Sequence, residues 1–159
     1  MTASKASTPA LTALALLVGE WTVEVDITGV PAGRAVFEWA LEGNFLVQRN
    51  EIPHPDFPDS ELIVGASSDS ASFGSTTGAT FIQHYFDSRG MARIYQMEFG
   101  DGKWTLLRNT PDFGPLDFQQ RFIGHISDNN TINGSWAHSA DGETWEHDFT
   151  LSYHRVVAN

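Results

Sequence analysis

The sequence of 159 residues contains no cysteine and few basic residues. Without cysteine, the chain forms no disulfide, thiolate nucleophile, iron–sulfur cluster or cysteine-ligated zinc site. The 9 Lys and Arg are outnumbered by 20 Asp and Glu, so the formal net charge is −11. Such a charge repels phosphate backbones and anionic lipid surfaces. We therefore expect neither nucleic acid nor a membrane as a partner.

Long hydrophobic runs are also missing, and we do not expect the apolar stretch near the start to be a signal peptide. Residues 10–18 are apolar, but the stretch is too short to span a bilayer and no small-residue cleavage site follows it. We interpret residues 9–18 as a short helix, because Thr8 suits the N-cap, Pro9 the first helical position and Gly19 the stop. We also expect a cytoplasmic protein. The helix would carry its apolar side chains on one face: Leu11, Leu14, Leu17 and Val18.

From Glu20 onward the hydrophobic residues recur with a period of two. Trp21, Val23 and Val25 alternate with polar residues, which is typical of a half-buried strand. We predict one domain over residues 1–159 with strands between about residues 20 and 156. After the first strand, the others are predicted near residues 34–41, 45–52, 62–66, 80–86, 91–99, 103–110, 117–127, 131–139 and 144–156.

The segments between these strands favour tight antiparallel hairpins, because they are rich in Gly, Asn and Asp. About ten such strands form either a sandwich or an up-and-down barrel. We favour the closed barrel, since it leaves no exposed edge and has room for a small ligand. The predicted fold is all-β: a closed up-and-down antiparallel β-barrel with a short N-terminal helix. Two long polar segments, residues 54–60 and 67–78, are interpreted as rim loops.

The helix, the Gly19-Glu20-Trp21 start of the first strand, the hairpin meander and Arg155 in the last strand resemble the lipocalin and fatty-acid-binding-protein (calycin) superfamily. The stretches 17–21 and 85–90 resemble, more specifically, bacterial lipocalin-like proteins of unknown function. In the superfamily, the Trp of Gly-x-Trp packs at the closed end of the barrel and an Arg lies across it. The resemblance gives these structural roles to Trp21 and Arg155.

Hairpin turns fix which residues face each other and therefore which residues face the lumen. A two-residue turn at Asp101-Gly102 pairs Phe99 with Trp104 and marks this face as the inner one. A two-residue turn at Asp141-Gly142 pairs His138 with Trp145, and Trp136 with His147. A three-residue loop at 128–130 then places Gln120 opposite His138, and Phe122 opposite Trp136.

Two further hairpins determine whether Arg49 and His84 face the lumen. A loop at 42–44 pairs Phe37 with Arg49 and brings Arg49 inside. A turn at residues 89–90 brings His84 inside, whereas a three-residue loop would bring Gln83 and Tyr85 inside instead. We favour the turn at residues 89–90. The predicted lumen consists of Trp39, Arg49, His84, Tyr95, Met97, Arg108, Gln120, Phe122, Trp136, His138, Trp145 and His147.

This lumen predicts a binding site for a small, mostly apolar ligand with a carboxylate or carbonyl end. Apolar walls supply affinity and a few polar groups fix orientation. Arg49 and Arg108 would be costly in a low-dielectric lumen without an acceptor, which is either such a ligand or an internal carboxylate such as Glu51 or Asp117. The fatty-acid-binding branch holds a carboxylate with Arg and Tyr, and the resemblance suggests Arg108 with Tyr95 for that part.

A cofactor-independent isomerase or cyclase is the alternative, with His138, His147 and Tyr95 as its acid–base and polarising groups. A haem-binding barrel with His138 or His147 as the ligand is a second alternative. Otherwise we expect no cofactor, because no phosphate loop or dinucleotide fingerprint follows any predicted strand. We expect no metal either, since neighbouring acidic residues and His147 face opposite sides of a strand. The sequence leaves a homodimer open.

Overall fold

The computed structural model describes residues 5–67 and 79–157. Ten antiparallel strands in sequence order form a closed barrel, because β1 pairs with both β2 and β10. This confirms the predicted up-and-down barrel. The strands are β1 (Gly19–Val25), β2 (Gly33–Ala40), β3 (Phe45–Glu51), β4 (Ser60–Ala66), β5 (Ala79–Asp87), β6 (Ala92–Gly100), β7 (Lys103–Arg108), β8 (Gln119–Asp128), β9 (Thr131–Ser139) and β10 (Glu146–Arg155).

A short helical segment precedes the barrel and covers one of its ends. It consists of α1 (Pro9–Thr12) and one 3₁₀ segment (Ala13–Leu17), and the Thr8 hydroxyl accepts a hydrogen bond from the Leu11 N–H. The helix therefore begins where the sequence predicts, although its second half is tighter than an α-helix. Three of the four residues on the predicted apolar face are buried in the barrel core: Leu11, Leu14 and Leu17.

Trp21 and Arg155 hold this closed end together. The Arg155 guanidinium lies 4.3 Å from the centre of the Trp21 ring, and Trp21 Nε1 donates to the Leu17 carbonyl at 2.8 Å. Arg155 also donates to the carbonyls of Leu16 and Val18, which ties the helical segment to the last strand. The arrangement that the superfamily resemblance implies for these two residues is confirmed.

The opposite end of the barrel carries the loop 52–59, the turn after β5, and the loops before β8 and β10. The predicted rim loop at 54–60 belongs to this end. The other predicted rim loop, 67–78, lies outside the described residues except for Ser67. Among the residues that the structure describes, no helix is long and apolar enough to cross a membrane.

The register follows the prediction in two hairpins. The Asp101-Gly102 turn has both residues at positive φ, and it pairs Phe99 with Trp104. Between β8 and β9, Phe122 lies opposite Trp136, as predicted, with an irregularity between Ile126 and Asp128. In both cases the alternating hydrophobic pattern on the two strands leaves one register that buries the apolar faces.

Two other registers differ from the prediction by one residue. The β2–β3 loop is 41–44, because Leu41, Glu42 and Gly43 all take a left-handed backbone conformation. Val36 therefore lies opposite Arg49, which faces outward. Between β5 and β6 the three-residue loop 88–90 is the one that forms, and it pairs Gln83 with Tyr95. A shift of one residue moves every side chain of a strand to the other face.

The β9–β10 hairpin is longer than predicted. Asp141 organises the connection, because its carboxylate accepts backbone hydrogen bonds from Glu143 and Thr144, both at 2.8 Å. The strand β10 begins at Glu146 and carries a bulge between His147 and Phe149. As a result Phe149, rather than His147, lies opposite Trp136.

Candidate functional site

A cavity of about 260 Å³ lies in the half of the barrel away from the helix. Many of its lining residues come from the ends of β3, β5 and β9 and from the beginnings of β4, β6 and β8, which meet at this end of the antiparallel barrel. Residues of β1, β7 and β10 also line it: Val23, Trp104, Leu106, Asp148, Phe149, Leu151 and Tyr153. The other half is filled by buried side chains such as Trp21, Leu46, Phe81 and Met97. As far as the described residues show, the barrel is hollow in the half away from the helix and packed in the other half.

The cavity has an aromatic wall that runs from its mouth to its floor. Successive ring centres are 6.3 Å apart for Tyr85 and Tyr95, 5.7 Å for Tyr95 and Trp136, and 5.2 Å for Trp136 and Phe122. The row ends at Trp104, 4.9 Å from Phe122. Each such contact contributes about 0.5–1.5 kcal/mol, so the rings of the wall stabilise one another.

Three polar side chains meet on this wall. The Tyr95 hydroxyl donates to Gln120 Oε1 at 2.8 Å, and an Arg93 NH group donates to the same oxygen at 3.2 Å. Burial raises the pKa of Tyr95, so its hydroxyl stays protonated. Arg93 also lies 5.7 Å from the centre of the Phe118 ring. We call Arg93, Tyr95 and Gln120 the polar triad.

Arg93 has no anionic partner within the described ranges. No carboxylate of those residues lies within 4 Å of its guanidinium, and its buried Nε makes no hydrogen bond to them. The other arginine at the cavity, Arg89, differs, since its guanidinium lies 2.7 Å from Asp87. Burial acts to raise the pKa of Asp87, but hydrogen bonds from Arg89, Tyr85 and backbone N–H groups together lower it to about 2. Only one of the two cavity arginines is therefore already neutralised.

A second polar strip follows β3 and β4 along the facing wall. Gln48 Nε2 donates to Asn50 Oδ1 at 2.8 Å, and Asn50 Nδ2 donates to the Ser60 hydroxyl at 3.0 Å. All three residues line the cavity. The strip places hydrogen-bonding groups from the interior to the rim.

The loop 52–59 covers part of the mouth. Phe57 packs edge-to-face on Phe149, with ring centres 5.6 Å apart. The centres of the Phe57 and His54 rings are 6.0 Å apart. Phe57 and Pro58 contribute to the cavity lining. The contact between Phe57 and Phe149 thus attaches this loop to β10 at the cavity mouth.

Four of the twelve sequence-predicted lumen residues line the cavity, and the others lie elsewhere. Tyr95, Gln120, Phe122 and Trp136 line the cavity. Trp39 and Met97 are buried, but they belong to the packed core rather than to the cavity wall.

Arg108 is buried but does not line the cavity. Its Nε donates to Asp112 Oδ2 at 2.8 Å, and another of its N–H groups donates to the Phe118 carbonyl at 3.1 Å. The hydrogen bond to Asp112 raises the pKa of Arg108. Of the predicted carboxylate partners, Asp117 is 3.9 Å away and highly exposed. The internal ion pair is therefore the correct interpretation of Arg108, with Asp112 as the partner.

Four predicted lumen residues lie elsewhere, and the register shifts explain why. Arg49 is on the outer surface in ion pairs with Glu38 and Glu61. The other three were also wrongly predicted to lie inside. His84 alternates on β5 with the inward-facing Gln83 and Tyr85. Trp145 lies before β10, with the Arg121 guanidinium 4.2 Å from its ring centre, and His147 is exposed on the other side of the bulge.

His138 lies at the rim between two carboxylates. Its Nδ1 contacts Asp148, and its Nε2 lies 3.0 Å from Glu146. The hydrogen bond with Asp148 raises the pKa of His138. Asp148 lines the cavity mouth, whereas His138 does not. The described part of the chain holds no group of three or more His, Cys, Asp or Glu arranged to bind a metal ion.

Sequence reasoning missed Arg93, Gln48 and Asn50. The signal for Arg93 was present, because it stands two residues before the inward Tyr95 on the same strand. Gln48 and Asn50 follow from the same period once the β2–β3 loop is four residues long. Phe57 had no signal, since loop residues carry no periodicity.

No protein-family model matches the chain, and no curated protein matches it significantly. The closed ten-stranded antiparallel barrel with its short helix fits a calycin-like fold. Any functional argument therefore depends on the geometry of the cavity.

Proposed function

We propose that this protein is a lipocalin-like barrel that binds a small, mostly apolar ligand with a carboxylate or carbonyl end. The proposal depends on Arg93, which lines an aromatic cavity and has no carboxylate of the described residues as a partner. Aromatic walls favour an apolar body, and the polar triad would receive the polar end of the ligand. Arg93 keeps an N–H group for a ligand oxygen, because its Nε has no partner among the described residues, while Tyr95 donates its hydroxyl hydrogen to Gln120 and fixes that side chain beside Arg93.

The charge on Arg93 gives the polar end its chemistry. A cation in a partly desolvated site is costly unless an anion or a hydrogen-bond acceptor meets it. Within the described residues, Arg93 has only the neutral Gln120 oxygen and the face of Phe118. A ligand carboxylate would supply the missing charge, and a carbonyl would supply an acceptor. Arg93 would thus bind the polar end of the ligand, which is the role that the superfamily resemblance suggested for Arg108.

The size of the cavity limits the ligand. At the packing density of protein interiors, about 0.75, a volume of about 260 Å³ holds a molecule of roughly 200 Å³. That is close to an acid with about ten carbons. A longer ligand would have to extend past Phe57 into the mouth.

The experiment compares decanoate with its uncharged methyl ester by isothermal titration calorimetry. Arg93→Leu removes a charge-assisted contact that contributes about 1.5–3 kcal/mol, so we expect decanoate to bind about ten- to a hundredfold more weakly. The methyl ester should change little. Arg49→Leu is the matched control, because Arg49 is an arginine on the outer surface of the same barrel. An equal loss for both probes, or an equal effect of the control, would contradict the role of Arg93.

A cofactor-independent enzyme is the second candidate, favoured by one observation. Asp148 lines the cavity mouth and is paired with His138, so a carboxylate with a titratable partner borders the site. Of the residues suggested for acid–base work, Tyr95 alone lines the cavity, and its raised pKa keeps it a donor rather than a base. Binding is therefore proposed ahead of catalysis.

Haem does not fit the residues that were suggested to hold it. Both ring nitrogens of His138 contact carboxylates, and His147 lies on the outside of the barrel. The cavity of about 260 Å³ is also small for a macrocycle. We do not propose a haem protein.

A further inference from the structure

Two buried polar atoms at the inner end of the cavity have no partner in the described part of the chain. They are Trp104 Nε1, which is a donor, and Gln48 Oε1, which is an acceptor. Trp104 is 2% exposed and Gln48 is 3% exposed, yet both line the cavity. Buried polar atoms without partners are rare in folded proteins, and each costs about 1–3 kcal/mol.

The two atoms belong to one region, which we call the cavity floor. Phe37 lies opposite Gln48 across β2 and β3, and its ring centre is 6.1 Å from that of Trp104. Tyr153 lies in the same region: its ring centre is 5.7 Å from that of Trp104, and burial raises the pKa of its hydroxyl to about 12 against the opposing effect of the Gln48 side chain. The floor is thus built from β2, β3, β7 and β10.

The orientation of the Gln48 amide follows from its neighbours. Gln48 Nε2 donates to Asn50 Oδ1, and Asn50 in turn uses its Nδ2 on the Ser60 hydroxyl. This chain of donors leaves Gln48 Oε1 as an acceptor. The floor therefore offers one N–H and one C=O, and a hydroxyl group is the small group that complements both.

We propose that the ligand carries a hydroxyl group at the end opposite its carboxylate or carbonyl. The hydroxyl oxygen accepts a hydrogen bond from Trp104 Nε1, and the hydroxyl hydrogen is donated to Gln48 Oε1. This inference rests on the proposed function and deepens it, because it makes the ligand a molecule with an oxygen at each end and an apolar middle.

The dimensions of the barrel agree with such a ligand. Tyr95, in the polar triad, stands four residues before Phe99 on β6, and Phe99 lies opposite Trp104. At about 3.3 Å per residue, the two ends are roughly 13 Å apart along the strand. An extended chain of about ten carbons spans that distance. The rival occupant of the floor is an ordered water molecule that bridges the same two atoms.

The test measures the affinities of decanoate and ω-hydroxydecanoate for the wild-type protein by isothermal titration calorimetry. Two hydrogen bonds in a desolvated site should make ω-hydroxydecanoate bind about tenfold more tightly. Gln48→Met and Trp104→Phe each remove one partner, so each should reduce the ratio to about threefold or less. Gln83→Met is the matched control: Gln83 is 1% exposed and its amide has no partner in the described ranges, but it does not line the cavity.

Each outcome separates this inference from the proposed function. Equal wild-type affinity for the two acids overturns the hydroxyl site and indicates a bound water, while the proposed function stands. The hydroxyl site is equally overturned if Gln83→Met lowers the ratio as much as Gln48→Met does. Binding of neither acid contradicts both proposals. Because the wild-type comparison needs no variant, it remains decisive even if Trp104→Phe fails to fold.

Discussion

The buried ion pair between Arg108 and Asp112 offers the sharpest test of the fold around the cavity. The two side chains are 6% and 4% exposed, with Nε and Oδ2 2.8 Å apart. Asp112 also accepts backbone hydrogen bonds from Ile94 at 3.1 Å and Phe113 at 2.9 Å. It therefore joins the loop before β8 to β6 and β7. Asp112→Asn removes the negative charge with almost no change in shape.

The expected cost follows from this burial. Leaving one member of a buried pair without its counter-charge costs about 3–5 kcal/mol. Since asparagine keeps one acceptor for the guanidinium, we expect the lower end, about 3 kcal/mol. With a urea dependence of about 2 kcal/mol per molar, the midpoint of unfolding should fall by roughly 1.5 M. This is a large share of the stability of a domain of this size.

The assay is equilibrium urea unfolding followed by tryptophan fluorescence. Asp117→Asn is the matched control, because Asp117 is 3.9 Å from the same guanidinium but 73% exposed. Its midpoint should move by less than about 0.3 M. Equal shifts of the unfolding midpoint for the two variants would refute the reasoning, since they would mean that burial does not determine how much an ion pair contributes to the free energy of unfolding.

The pH dependence of the same pair provides a further check. Burial acts to raise the pKa of Asp112, but the hydrogen bonds from Arg108 and the Ile94 N–H outweigh it and the pKa is lowered. A lowered pKa in the folded state stabilises the protein above the ordinary value near 3.8, and this stabilisation is lost as the pH falls through the folded pKa. The difference between wild type and Asp112→Asn should therefore shrink below that pH.

Two further predictions concern the rim and the closed end. The contact with Asp148 raises the pKa of His138. The stabilisation that this contact gives the folded protein should therefore be complete below about pH 6.5 and disappear as the pH rises through the pKa of folded His138. NMR titration of Asp148→Asn should show a lower pKa for His138. Arg155→Leu removes the contact with Trp21 and the hydrogen bond to Val18, and should cost about 2–3 kcal/mol in urea unfolding. An unchanged His138 titration, or an unchanged unfolding midpoint, would count against the respective contact.

Much of the barrel follows from patterns that are local in the sequence. The strand starting at Thr131 and ending at Ser139 has its predicted bounds, because alternating residues and turn residues mark both ends. The Asp101-Gly102 turn needs two residues that accept positive φ, and the sequence supplies them. Local rules of this kind place Tyr95, Phe122 and Trp136 on the inner face.

The errors come from loops whose conformation the residue types do not reveal. Leu41 and Glu42 adopt positive φ although neither is Gly, Asn or Asp, so the β2–β3 loop gains a residue and Arg49 turns outward. At the β9–β10 connection, the Asp141 carboxylate stabilises a longer loop, and Trp145 leaves the strand. At the β2–β3 loop, one residue of difference reverses the faces of an entire strand. At β10 the bulge changes only the residues before Phe149, and the later residues keep their predicted faces.

The sequence by itself determined the closed barrel, the capped helix at its end and the contact of Arg155 with Trp21, because these depend on periodicity, turn chemistry and a short recognisable pattern. Only the tertiary structure decided which arginine faces the cavity without a counter-charge from the described residues. That property depends on distances between side chains far apart in the chain: Arg108 finds Asp112 in a loop, whereas Arg93 meets only Gln120 and the Phe118 ring among them. Charge pairing in a folded interior is a three-dimensional relation, and no spacing along the chain records it.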